Sequence, residues 1–237
     1  MKTPILFILL LTFTLGCERN VAPPQPDSSH YRPYMRKGKG SKSFKNITSG
    51  RTHSAGIDQY KMAMPEESFW EIINLSVLQS SGEARQVQHI ENQLIALGKE
   101  AVLKFELRMQ LLLYNSYTSD LLCAGELLHH NCGNFEFEQF RCWIILQGEA
   151  VYYLSLNDPD TLEVEYRVDR GCYNAEALYS MPSAVYKRKY NKDIYQLIDM
   201  DKFPFYQDDY PPLNFKWRPN QPGSMSRICP DLYDACY

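Results

Sequence analysis

The stretch Asn131 to Gly148, N-C-G-N-F-E-F-E-Q-F-R-C-W-I-I-L-Q-G, sets the hardest condition on any fold of this chain. Phe137, Phe140 and Ile144 recur at helical spacing with Trp143 beside them, a Gly133-Asn134 turn opens the run, and Gly148 ends it. The pattern predicts a buried helix with Arg141 in its middle. A guanidinium keeps its charge at any ordinary pH and presents five donors, so behind a shield of aromatic rings it requires a carboxylate or several carbonyls. The elements around this helix must supply them.

Those elements also read as helices. Pro65 with Glu66 and Glu67 suits a helix start, and Phe69, Ile72, Ile73 and Val77 line one face up to Ser80-Ser81-Gly82. A second helix carries Val87, Ile90, Leu94 and Leu97 before Gly98, and a third carries Val102, Phe105, Met109, Leu112 and Leu113 to about Asn115. Thr118 or Ser119 caps a fourth, with Leu121, Leu122, Ala124, Leu127 and Leu128, ending near His129-His130-Asn131. Short breaks between amphipathic helices imply antiparallel neighbours, so the fourth helix brings Asp120 or Glu126 within reach of Arg141 as its expected partner. Ala150 to Leu156 continues helically until Asn157-Asp158-Pro159, while Thr161 to Arg170 reads equally as strand or helix. Ala175 to Tyr190 is helical in pattern, with Pro182 kinking it or starting a new segment. Phe203 to Gly223 holds five prolines and several aromatics and should lie extended across the domain, before a last helical turn or two from Pro230 to Cys236. The expectation is an all-α or mainly α single domain of about six to eight helices with a proline-rich C-terminal segment packed on it.

The N-terminal quarter is different. Lys2 precedes an apolar run from Ile5 through Phe13 that ends at Leu15-Gly16-Cys17, too short to span a bilayer and fitting a signal segment over residues 1–17. The cysteine after a small residue resembles the lipobox of bacterial lipoproteins, which implies lipidation of Cys17 and a membrane-anchored protein of the bacterial cell envelope; Thr14 stands where that pattern prefers leucine. Residues 18–60 are rich in Pro, Ser, Gly and Lys without hydrophobic periodicity and read as a flexible basic tether, leaving 61–237 as the helical domain.

Charge bounds the partners. Residues 18–60 carry eight Lys/Arg against three Asp/Glu, a net of +5, whereas 61–237 carry sixteen against twenty-five, a net of −9. An acidic domain repels polyphosphate, which argues against nucleic acid, while the basic Arg36-Lys37-Gly38-Lys39 suits either a solvated linker or an anionic membrane surface.

Met64-Pro65-Glu66-Glu67-Ser68-Phe69-Trp70 and Phe137-Glu138-Gln139-Phe140-Arg141-Cys142-Trp143-Ile144-Ile145-Leu146-Gln147-Gly148 resemble the bacterial family of domains of unknown function numbered 4240. Asp158-Pro159, the Ala175 to Tyr190 helix and the closing Pro230 to Tyr233 extend the resemblance over residues 64–237. It implies a helical domain without an assigned reaction, with Asp120 at a position where the family tends to carry an acid. The chain departs from it at Cys132-Gly133-Asn134-Phe135, which has no acid until Glu136 where the family often places serine and aspartate.

The remaining constellations are thin. His129-His130, Cys132, Glu136 and Glu138 are metal-capable residue types without H-E-x-x-H or C-x-x-C spacing, so no metal or cofactor is expected. There is no G-x-S-x-G and no phosphate-cradling glycine loop. Seven cysteines become six if Cys17 is lipidated; Cys229 and Cys236 would lie roughly 10 Å apart on a helix, and the alternatives are a disulfide between Cys123 and Cys132, flanking one bend, or a set of thiols all reduced. Tyr152-Tyr153, Tyr206, Tyr210 and Trp217 form either an aromatic groove or the packing of the tail. The candidate binding residues are therefore Arg141, Asp120, Glu126 and Trp143, in a membrane-tethered binding or protein-interaction module. Two alternatives stand beside it: an envelope hydrolase with a metal or carboxylate site near Asp120, Glu126 and His129, and an immunity-like protein.

Overall fold

In the computed structural model, which describes residues 61–129, 134–168, 170, 172–207, 209–219 and 221–237, each helix begins where the sequence supplies a reason. Pro65 stands outside α1, Glu66–Gln79, and the first-turn acids Glu66 and Glu67 face the unpaired N–H groups of the helix start. Gly98, at φ 94, makes the sharp turn from α2, Glu83–Leu97, into α3, Lys99–Asn115. Thr118 Oγ1 accepts the Leu121 N–H at 3.2 Å and caps α4, Ser119–His129. Helix α5, Asn134–Leu146, turns into α6, Glu149–Asn157, at Gly148, whose φ of 104 few other residues adopt.

Beyond α6 the chain forms a 3₁₀ segment, Pro159–Glu165, then α7, Glu176–Tyr190. Short 3₁₀ turns follow at Ile194–Leu197, Met200–Lys202 and Pro204–Gln207, and the chain closes with α8, Pro222–Met225, and α9, Pro230–Cys236. The Asp160 carboxylate accepts the N–H groups of Asp231 at 3.1 Å and Leu232 at 2.8 Å, tying the start of α9 back to the 3₁₀ segment. The described residues form one mainly α-helical domain with no strand, its proline-containing C-terminal segment packed on the helices. The expected leader and tether, residues 1–60, lie outside the described residues, as do His130 and Cys132.

Several expectations are corrected. The stretch after Pro159 is neither strand nor α-helix, because Asp158 caps a tight 3₁₀ start by accepting the Asp160 N–H. Helix α7 runs through Pro182 from Glu176 to Tyr190, the ring itself buried among its neighbours. Val77 and Leu97 face solvent, since α1 and α2 each end within a turn of them and nothing continues the apolar stripe there. Like α4 and α5, α3 is covered around most of its circumference: every residue from Phe105 to Leu113 is buried, including Glu106, Arg108 and Gln110. Helices α1, α2, α5 and α7 and the Pro204–Gln207 turn all pack on it. Phe105 stacks on Phe69 of α1 with ring centres 4.6 Å apart, and Trp70 and Tyr152 extend that aromatic layer to α6.

Candidate functional site

Arg141 is buried, and its guanidinium meets carbonyls and rings. Nε donates to Phe137 O at 3.3 Å and Nη1 donates to Leu113 O. Leu113 lies in the last turn of α3, where four carbonyls have no partner within the helix and the macrodipole is negative. A cation set there is stabilised without any carboxylate. Tyr117 and Phe137 place ring faces 5.2 and 4.7 Å from the guanidinium carbon, with Tyr210 at 6.0 Å. No carboxylate forms an ion pair with Arg141 among the described residues, so the expected pairing with Asp120 or Glu126 is replaced by this cap. Asp120 Oδ1 instead accepts from Ser119 Oγ at 3.0 Å at the start of α4, and Glu126 is buried further along that helix.

Trp143 is fixed elsewhere. Two residues from Arg141, it points to another side of α5, its Nε1 donating to Glu83 Oε1 at 3.0 Å while Arg170 covers its ring at 5.1 Å. Buried with its donor taken, it is an architectural contact between α5 and α2. A buried arginine paired with a carboxylate is found instead at Arg108, which binds the partly exposed Glu66 Oε2 at 3.3 Å and Met64 O at 2.7 Å and clamps the start of α1 to α3.

The face of α5 carrying Glu138, Arg141 and Cys142 looks onto a polar cluster that lies outside the expected site residues. At its centre is Glu106 of α3, fully buried. Its Oε1 accepts from Gln110 Nε2 at 3.1 Å, Tyr195 Oη at 3.3 Å and, weakly, Tyr206 Oη at 3.5 Å. Its Oε2 has no hydrogen-bond partner among the described residues. Burial pushes the Glu106 carboxyl up to about 7 against the pull of its three donors, with the Glu138 charge adding to the rise. Burial also raises Glu138, which Arg141 and a hydrogen bond from Tyr179 pull back.

The tyrosine hydroxyls of Tyr179, Tyr195 and Tyr206 are pushed far up by burial and then by the neighbouring acids, so they stay protonated and serve as donors. Burial holds Cys142 well above the usual thiol range, which removes it as a nucleophile. The arrangement is two carboxylates of raised pKa, a capped guanidinium and four half-buried tyrosines drawn from α3, α5, α7 and the C-terminal segment. It can accept hydrogen bonds and hold or move a proton near neutral pH.

The hydrolase alternative finds no centre. Asp120, Glu126 and His129 are spread along α4, about 13 Å from first to last at 1.5 Å per residue, and His129 Nε2 lies 3.1 Å from Tyr173 O. Among the described residues no group of three or more His, Cys, Asp or Glu is placed to hold a metal ion. The candidate Cys123–Cys132 disulfide is also corrected. Cys123 is a free thiol turned inward toward Met225 O at 3.9 Å, because its side of α4 packs on α8, while Cys172 is the described cysteine that is disulfide-bonded.

The family model described as protein of unknown function, DUF4240, matches residues 64–188, more than half of the chain. The chain belongs to this family. The matched span of this DUF4240 member supplies Glu106, Glu138, Arg141, Cys142 and Tyr179, whereas Tyr195, Tyr206 and Tyr210 come from the segment after it. No curated protein and no solved structure matches the chain. No helix among the described residues is long and apolar enough to cross a membrane.

Proposed function

We propose that this DUF4240 protein is a binding module held at a bacterial envelope membrane, with Cys17 as the lipid attachment point and residues 18–60 as the tether. The ligand we assign to the helical domain is a small cationic amine bound between Glu106 and Glu138. One observation carries this: a fully buried carboxylate, Glu106, keeps one oxygen without any hydrogen-bond partner. A buried acceptor left unmatched costs about 1–3 kcal/mol, so the position calls for a donor from outside the chain. Two acids face the cluster against one guanidinium whose bonds already go to carbonyls, which leaves room for a further positive charge. The tyrosines supply ring faces to a cation as well as hydroxyls.

Calorimetric titration of the purified chain with ethanolamine, putrescine and spermidine tests the site. Affinity should rise as pH climbs through about 7, with a proton released on binding because an amine favours the ionised Glu106. Glu106→Gln should abolish binding. Affinity unaffected by Glu106→Gln, or no heat with any amine, rejects the reading. The anchor is tested separately by intact mass of the membrane fraction, which should show loss of residues 1–16 and gain of acyl chains on Cys17; a soluble full-length chain rejects it.

A further inference from the structure

Away from the acid cluster, the C-terminal segment folds into a concavity of about 670 Å³ whose lining includes Phe215, Lys216, Trp217, Arg218, Ser224 and Arg227. Its charge is unlike that of the rest of the domain. Residues 61–237 carry a net −9, yet this lining contains three cations and no carboxylate. Five basic side chains elsewhere in the domain pair with acids: Lys104 with Glu100, Arg108 with Glu66, Arg170 with Glu83, Arg188 with Glu91 and Lys202 with Asp199. Lys216, Arg218 and Arg227 form no ion pair among the described residues.

The cations are held together by a braced loop. Trp217 is buried and its Nε1 donates to Ser119 O at 2.8 Å, pinning the backbone between Lys216 and Arg218 to α4. Ser224 Oγ accepts the Arg218 N–H at 2.8 Å and donates toward Gln221 O at 2.7 Å, closing the loop on itself. Phe215 packs edge-on against Trp217 with centres 5.3 Å apart and leaves part of its ring to the concavity. Mutual repulsion of three cations on such a loop is relieved by an anion, and guanidinium forks fit tetrahedral oxyanions in two-bond geometry.

We propose that this concavity binds a phosphate-bearing molecule, with Arg218 and Arg227 on the phosphate oxygens, Lys216 as a point charge and the Phe215 ring against the carbon skeleton attached to the phosphate. A lipid headgroup and a soluble phosphate ester share this chemistry. The site is independent of the amine cleft and survives if that reading fails.

The full chain carrying Cys17→Ser, so that no acyl group contributes, is titrated with pyrophosphate and glycerol 3-phosphate and co-sedimented with phosphatidylcholine vesicles with and without phosphatidylglycerol. The triple variant Lys216→Gln, Arg218→Gln, Arg227→Gln should lose binding by about tenfold or more, with helical circular dichroism unchanged. A control of equal charge change on α7 and the turn after it, Lys187→Gln, Lys189→Gln, Lys192→Gln, should retain it. Loss confined to vesicles assigns the lipid source, and loss confined to soluble esters assigns the other. Equal loss in both variants, or binding to none of the probes, overturns the proposal.

Discussion

Replacing Glu106 by glutamine tests whether its carboxyl is the strained centre of the domain. In the fold its pKa stands at about 7 against an ordinary value of 4.5. For an acid raised by folding, stability is fully present below 4.5, where both folded and unfolded forms are neutral. It is lost as pH climbs toward about 7, because the unfolded chain ionises first. At about 1.4 kcal/mol per pH unit the gap amounts to about 3 kcal/mol, a large share of the 5–15 kcal/mol that holds a typical domain together. Glutamine has the same shape and never ionises. The variant should therefore differ little from the parent at pH 4.5 and gain on it steadily up to about pH 8.

The gain reads out in urea. With a slope of roughly 2–3 kcal/mol per molar, the midpoint of the variant should move up relative to the parent by about 1 M between pH 4.5 and pH 8. Only the difference matters, since other titrating groups act on both chains alike. Glu138→Gln in the parent should shrink the effect, because the Glu138 charge contributes to the rise at Glu106. A difference in midpoint that stays flat across this range would falsify the assignment of Glu106 as a buried carboxyl of raised pKa.

Arg141→Met should destabilise by about 1–3 kcal/mol in thermal or urea unfolding, through loss of the guanidinium's bonds to the carbonyls of Leu113 and Phe137; adding Asp120→Asn or Glu126→Gln should be additive, and coupling above about 0.5 kcal/mol would restore the ion-pair reading. Gly148→Ala should cost about 1–2 kcal/mol by the same measurement, since φ is 104 and a Cβ would stand 3.0 Å from Asn74 Oδ1, which accepts the Glu149 N–H; a neutral result means the turn relaxes. Cys123 and Cys142 should resist alkylation by iodoacetamide until the chain is unfolded in urea, as judged by mass; labelling of the native protein contradicts their burial.

The helices were legible because their faces follow simple periods and their ends carry chemistry: Pro65, Gly98, Thr118 and Gly148 mark boundaries in the sequence as they do in the fold. The buried arginine was legible as well, but its partner was not. Which carbonyls lie free depends on where a neighbouring helix ends, and the Leu113 carbonyl is offered to Arg141 only because α3 stops at Asn115 against α5. Trp143 was singled out with Arg141 by adjacency, although two steps on a helix separate side chains by about 200°.

The polar cluster at Glu106 left a trace that was passed over. Glu106, Arg108 and Gln110 alternate with Leu107, Met109 and Leu111, and polar residues two apart in a helix point to nearly opposite sides. No single solvent face can hold all three, so a helix with that alternation must bury some of them or pair them. Arg108 is paired, through Glu66, and Gln110 is spent on Glu106. Glu106 is the remainder: its second oxygen meets no donor among the described residues, and the tyrosines around its first oxygen come from beyond the span shared with the family. Under the proposed function, the acids of α3 and α5 would set the ligand and the tyrosines of the tail would select it. Exchanging Tyr195 and Tyr206 for phenylalanine should therefore change which amine binds while leaving the requirement for Glu106 intact.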